Sequence, residues 1–273
     1  MSITNEIPPH AIERLRGLRN EGHPGGIFTS DFSVNEFLLV RKAGFEPVGL
    51  CVGTCVYHVG IQYGSWGKNQ ELEVLSQAMY HARELAMTRM REEAREMGAD
   101  GIVGVQLTVK RLEWSTEVLE FIAIGTGVVH AEGHTGFKGP NGQPFTSDLS
   151  GQDFWTLLHA GYRPLEMVMG SCVYHVAHQG FFRSMGNVGK NTELTNFSQA
   201  LYDAREIAME RMQHEAIEAS AEGVVGVDLH EGSHAWQAHV IEFFAVGTAV
   251  KPISTEQDAS AIPDPQLVLS VNN

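Results

Sequence analysis

The sequence predicts an α+β protein made of two tandem β-α-β-β repeats. Each repeat holds a small antiparallel sheet and one long helix, and each is preceded by a short helix. Three observations carry this. The stretch "TSDFSVNEFLLVRKAGFEP" at 29–47 returns as "TSDLSGQDFWTLLHAGYRP" at 146–164, and "GKNQELEVLSQAMYHARELAMTRM" returns as "GKNTELTNFSQALYDAREIAMERM". Leu75, Met79, Ala82, Ala86, Met90, Ala94 and Met97 recur at three- and four-residue steps. That is the apolar stripe of a helix about 40 Å long at 1.5 Å rise per residue. Val103, Val105, Leu107 and Val109 then share one side of a strand, with Gln106, Thr108 and Lys110 on the other.

The elements follow in order. Ser33 with Glu36, and Ser150 with Asp153, form a capping-box-like start to the short helix. Gly44 or Gly161 supplies its left-handed stop, and Pro47 or Pro164 prevents a restart. A strand over 48–59 places Val48, Leu50, Val52 and Val56 on one face and Gly49, Gly53, Cys55 and Tyr57 on the other. A glycine-rich loop ends in Asn69 or Asn191, each expected to cap the long helix, with Glu71 or Glu193 in its first turn. Gly98 closes that helix in the first copy; Ser220, a weaker stop, stands there in the second. A hairpin carrying Trp114 or Trp236 leads to a last strand, 118–129 in the first copy.

That last strand is apolar on both faces, with Leu119, Phe121 and Ala123 against Val118, Ile122 and Ile124. At about 25 cal/mol per Å² of apolar surface, one helix over three strands is marginal alone. A second cover for the sheet is therefore expected, and oligomerisation supplies it most economically. The boundaries read as an arm (1–28), repeat 1 (29–130), a linker (131–145), repeat 2 (146–251) and a tail (252–273).

The chain has 273 residues, 43% of them hydrophobic, and a formal net charge of −14. That charge argues against nucleic acid or an anionic membrane as a main partner, since both need a basic face. Arg14, Arg16 and Arg19 form the densest basic group and read as one solvated helix. No apolar run approaches the roughly 20 residues of a membrane span, and the first fifteen residues are too polar for a signal peptide. Three cysteines make no disulfide framework, so a reducing cytoplasm is the expected location.

The run "GKN…L…A…ARELAMTRMREEAREMGADGIVGVQL", closing on "AIGTGVV", resembles the YbjQ-like family, which carries a heavy-metal-binding label; both repeats match it. The resemblance implies a YbjQ-like/dodecin-like β-α-β-β subunit that assembles as a pentameric ring through added strand pairing. It implies little about activity. The chain departs from the family's Gly-Gly-Arg-Ser at Gly67-Lys68-Asn69 and Gly189-Lys190-Asn191. Two unlike repeats cannot alternate around five positions. Five chains in two stacked rings, one of first and one of second repeats, is the favoured arrangement; three chains with alternating repeats is the other.

Four groups of residues are candidates for chemistry. "CVYHV" occurs at 55–59 and 172–176, but alternation puts Cys55 with Tyr57 and His58 with Val56. One extended strand cannot chelate with both Cys55 and His58, or with both Cys172 and His175, so packing is the preferred reading. His58 and His175 stay as metal candidates for zinc, copper or nickel. With them stand His178 and, from "HEGSHAWQAH", His230, His234 and His239, against the reading of solvated hairpin imidazoles. The loops Gly67-Lys68-Asn69 and Gly189-Lys190-Asn191 sit at helix mouths that favour anions. They are not nucleotide loops, and a turn with an N-cap is the simpler reading. Arg83, Glu120, Arg205 and Glu242 read as structural ion pairs of the Arg83–Glu120 kind, against an acid/base group in a cleft.

The tail ends in the β-prone "QLVLSV", suited to strand addition on a partner, or simply a disordered end. These features predict a non-enzymatic, ring-forming homo-oligomer that recruits a protein partner through its tail. A metal-binding protein is the alternative, and an enzyme with a carboxylate cleft the third reading.

Overall fold

In the computed structural model, residues 7–19, 27–58, 68–111, 118–133, 135–139, 142–177, 195–232 and 240–253 are described. The elements run α1 (Pro9–Arg19), α2 (Val34–Lys42), β1 (Phe45–His58), β2 (Gln70–Glu71), α3 (Glu73–Met97), β3 (Gly101–Arg111) and β4 (Val118–His130). They continue with a 3₁₀ turn (Thr135–Phe137), β5 (Phe145–Thr146), α4 (Gly151–His159), β6 (Tyr162–His175), α5 (Thr195–Glu218), β7 (Gly223–Gly232) and β8 (Val240–Pro252). The hairpins carrying Trp114 and Trp236 and the tail from 254 lie outside the described residues.

Local chemistry explains the element ends. The Ser33 hydroxyl accepts the Glu36 N–H while the Glu36 carboxylate accepts the Ser33 N–H, a complete capping box for α2. Ser150 caps α4 in the same way through the Asp153 N–H. Gly98 stops α3 at φ 78°, and Ser220 holds the matching place after α5 at φ 57°, which a side chain adopts at a cost. The capping expected of Asn69 is not found. Leu72 precedes α3 with no side-chain cap, because the Asn69 side chain is engaged elsewhere.

Each repeat contributes three antiparallel strands, and each sheet gains a fourth strand from the other repeat. The orders are β1-β4-β3-β5 and β2-β6-β8-β7. β5 opens repeat 2 yet runs parallel to β3 of repeat 1; β2 belongs to repeat 1 yet pairs antiparallel with β6 of repeat 2. The helix of each repeat lies on its own sheet at a glycine. A Cβ on Gly53 would stand 1.9 Å from the Ala86 carbonyl oxygen, and one on Gly170 2.0 Å from that of Ala208. Backbone-to-backbone contact this close needs glycine.

The second cover expected for the sheets exists for repeat 2. One side of β6, with Val168, Cys172 and Tyr174, packs under α5. The other, with Met167, Met169 and Val173, joins Val240, Phe244 and Val246 in the core of α3. So α3 lies between two sheets. α1 is not a free basic arm: Leu15 is buried, Arg16 pairs with Glu96 at 3.0 Å, and Arg14 approaches Glu93 at 3.6 Å.

Candidate functional site: the joint between the repeats

The polar groups that the sequence repeats converge where repeat 1 meets repeat 2. α3 turns Met79, Ala86 and Met90 inward and Ser76, Tyr80 and Arg83 toward β6. The Ser76 hydroxyl accepts the Val173 N–H at 2.8 Å, and the Leu72 N–H donates to the Val173 carbonyl at 2.8 Å. Between them they satisfy a backbone edge that would otherwise be buried bare.

Arg83 is the centre. Its Nη1 donates to Glu242 Oε1 at 2.7 Å and to the Ser171 hydroxyl at 3.2 Å, and that hydroxyl donates to the same carboxylate oxygen at 2.9 Å. Arg83 and Glu242 side chains are each only 3% exposed. The guanidinium lies 4.1 Å from the Phe244 ring centroid and 5.8 Å from that of Phe121, one ring from each repeat. The expected Arg83–Glu120 pairing is thus replaced by one that crosses the repeats. Arg205 instead donates to its neighbour Glu206 at 2.8 Å, and Glu120 makes no ion pair among the described residues.

A second pair flanks the first. Arg211 binds Glu71 through two bonds, 2.6 and 3.1 Å, and donates to the Ser171 carbonyl. Tyr80 donates to Glu215 Oε1, and the Met169 N–H donates to Glu215 Oε2 at 2.7 Å. Burial pushes the Glu215 carboxyl up to about 7, with Glu84 and Glu166 adding to the rise and the Tyr80 and Met169 bonds opposing it. These groups line a cleft of about 350 Å³ with Ser76, Gln77 and His214. Both oxygens of Glu215 are engaged in holding the joint, and the cleft's other carboxylate, Glu218, is exposed beside His214.

The predicted loop and histidines can now be placed. Asn69 donates to Asn196 Oδ1 at 2.9 Å and accepts the Ala177 N–H at 2.8 Å, clamping repeat 1 to repeat 2. The Lys68 carbonyl lies 3.3 Å from Nδ1 of the buried His175, while the Lys68 side chain is exposed. His58, the matching residue of repeat 1, is exposed at the end of β1. His230 is exposed beside Asp228. Gly67, His178, Gly189, Lys190, Asn191, His234 and His239 lie outside the described residues.

Among the described residues, the candidate metal donors do not converge. Cys172 packs under α5, while His175, three residues on, meets Lys68 of repeat 1 on the other side. Burial pushes the Cys172 thiol up to about 12 and raises those of Cys51 and Cys55, so the thiolate a soft metal needs is disfavoured. Among the described residues no three His, Cys, Asp or Glu side chains converge.

Sequence reasoning missed the other half of the joint. Residues 145–149 run along the outer edge of β3: the Phe145 N–H donates to Asp100, Ser147 to Ile102, Val105 to Ser147 and Gly104 to Leu149. The Phe145 ring lies on Gly101, where a Cβ would meet it at 2.1 Å, and contacts Phe45 and Phe154. The signal was available, because "FTSD" is identical in both copies and its phenylalanine had no assigned role.

Two structural repeats that share strands and bury a charged pair between them define a tandem-duplicated α+β protein of the β-α-β-β class. The chain belongs to the YbjQ family in tandem duplicate: the family model, described as "Putative heavy-metal-binding", matches residues 67–131 and 161–252. It is also 47% identical over 248 residues to "Encapsulin nanocompartment protein Rv1762c" of Mycobacterium tuberculosis (strain ATCC 25618 / H37Rv), covering 91% of this chain and 92% of that protein. No helix among the described residues is long and apolar enough to cross a membrane.

Proposed function

We propose that this protein is a non-enzymatic, self-assembling component of a nanocompartment system, acting in the cytoplasm as a closed homo-oligomer of tandem repeats. One observation carries the reading. Among the described residues, repeat 2 has its second sheet face covered by α3, whereas on the equivalent face of repeat 1 Val56 is exposed and Ile122 only half-buried. The kinship to a nanocompartment protein over nearly the whole chain supports it. Five chains in stacked rings would set each repeat beside its own kind; the in-chain joint sets unlike repeats side by side and favours a ring in which they alternate. The tail, with "QLVLSV" at 266–271, is proposed to recruit a protein partner by strand addition.

Native mass spectrometry and light scattering of the full chain test this. A discrete multiple of the chain mass supports it, and a single chain at tens of micromolar sinks it. Metal binding is not proposed on the described residues. Uptake of stoichiometric zinc, copper or nickel by the reduced full chain would reopen it through the histidines outside them.

A further inference from the structure

Among the described residues, the joint inside one chain has matching groups in each repeat that no second joint engages. We infer that a second copy of this chain engages them, with residues 27–30 of one copy adding as a parallel strand along β7 of the next and α5 of that copy seating on the open sheet of repeat 1. This rests on the assembly reading and names the surface through which assembly runs.

Residues 27–30 are held ready for strand addition. In repeat 2, the Thr146 hydroxyl accepts the Met167 N–H, and the Thr248 hydroxyl meets Ser147 at 3.0 Å, accepts the Asp148 N–H and donates to the Asp148 carboxylate. Repeat 1 holds its copy in the same way: Thr29 accepts from Leu50, and Thr126 engages Ser30 and Asp31. Phe28 stacks on Phe37 at 5.5 Å as Phe145 stacks on Phe154 at 5.8 Å. The conformation is thus already set, at little further ordering cost. Yet Phe145 is fully buried against repeat 1, while Phe28 is 46% exposed.

The seat is equally prepared. Gly101 of β3 holds the Phe145 ring where its own Cβ would be. Gly223 opens β7 at the matching place, and a Cβ there would find nothing nearer than Val250 Cγ2 at 4.0 Å. β7 is an edge strand with Gly223, Gly226 and Val227 exposed, and Tyr162 stands exposed where repeat 1 has Phe45 under the phenylalanine pair. Phe28 fits that seat, and an unpaired edge of this kind is a template for another strand.

The second contact is electrostatic. Arg83 of α3 reaches Glu242 across the in-chain joint. The matching residues are Arg205 of α5, which pairs with its neighbour Glu206, and Glu120 on the half-buried face of repeat 1, and the two do not pair with each other among the described residues. Val173 on the covered face is fully buried, and its counterpart Val56 is 58% exposed. α1 borders this face, with Arg14 near Glu93 where the in-chain joint has Tyr80 on Glu215, so the seating of α5 requires α1 to give up the place it holds in the single chain. The joint is head-to-tail, so its repetition sets first and second repeats in alternation, and a rotation that closes makes this a ring.

Gly223→Val is the decisive variant. A single chain has room for a Cβ at this place, whereas the joint does not, since the new side chain would occupy the place of the incoming Phe28 ring. On native mass spectrometry of the full chain, wild type is expected as a closed oligomer and Gly223→Val as folded single chains with an unchanged circular dichroism spectrum. A wild-type oligomer that survives Gly223→Val overturns the joint and leaves the assembly reading standing; a wild-type monomer overturns both. Arg205→Glu, at an exposed site with little bearing on folding, guards against a folding defect in the first variant. It should weaken association by about 30-fold or more, and Glu120→Arg added to it should restore the oligomer. Failure of both the loss and the rescue would remove Arg205 and Glu120 from the contact and the inference with them.

Discussion

Arg83 shows how one side chain can hold two repeats together. A guanidinium between Phe121 and Phe244, bound to Glu242 and Ser171, is stable only while its carboxylate partner stays. Arg83→Met removes the cation that neutralises the buried Glu242 carboxylate, and a loss of about 3–5 kcal/mol in unfolding free energy is expected by urea titration. Adding Glu242→Leu should return most of it. Glu215 supplies a pH signature. Its carboxyl is raised to about 7 by burial, so the folded state holds the proton more tightly than the unfolded chain. Its contribution is complete below the ordinary carboxylate range and fades as pH climbs from about 4.5 to 7. Wild type should lose stability over that interval more steeply than Glu215→Gln, and parallel profiles would refute the assignment.

At the scale of elements, the helix–sheet contact depends on a missing side chain. Gly53 and Gly170 let α3 and α5 touch β1 and β6 through backbone, with no space for a methyl group. Gly53→Ala or Gly170→Ala must push a helix of 25 or 24 residues off its sheet. The expected cost is about 3 kcal/mol, the upper end of ordinary overpacking, measured by denaturant midpoint. Gly170→Ala should cost at least as much, because β6 is packed on both faces and cannot retreat. The elements themselves were largely legible from sequence: the capping box, the long apolar stripe and the left-handed stops all act within a few residues. Asn69 was misread because a cap and a cross-repeat clamp use the same side-chain amide.

For the whole molecule, the two repeats are alike in sequence and unlike in surroundings. Among the described residues, sheet 2 has both faces covered, whereas sheet 1 keeps a face on which Val56 is exposed and Glu120 and Ile122 are half-buried. Assembly stabilises the folded chain by mass action, so the melting temperature should rise with protein concentration. A midpoint constant over a hundredfold dilution that crosses the dissociation range would count against the oligomer.

Repetition, helix period, strand alternation and capping are short-range properties, and the order of residues was enough to establish them, together with the surplus apolar surface of each sheet. Which side chains meet across the repeats was settled only in three dimensions. Arg83 could have answered to Glu120 or to Glu242, and Phe145 to its own sheet or to its neighbour's. Two near-identical copies offer the same partners in sequence, and only the packing of α3 between two sheets and the strands exchanged at their edges break that tie.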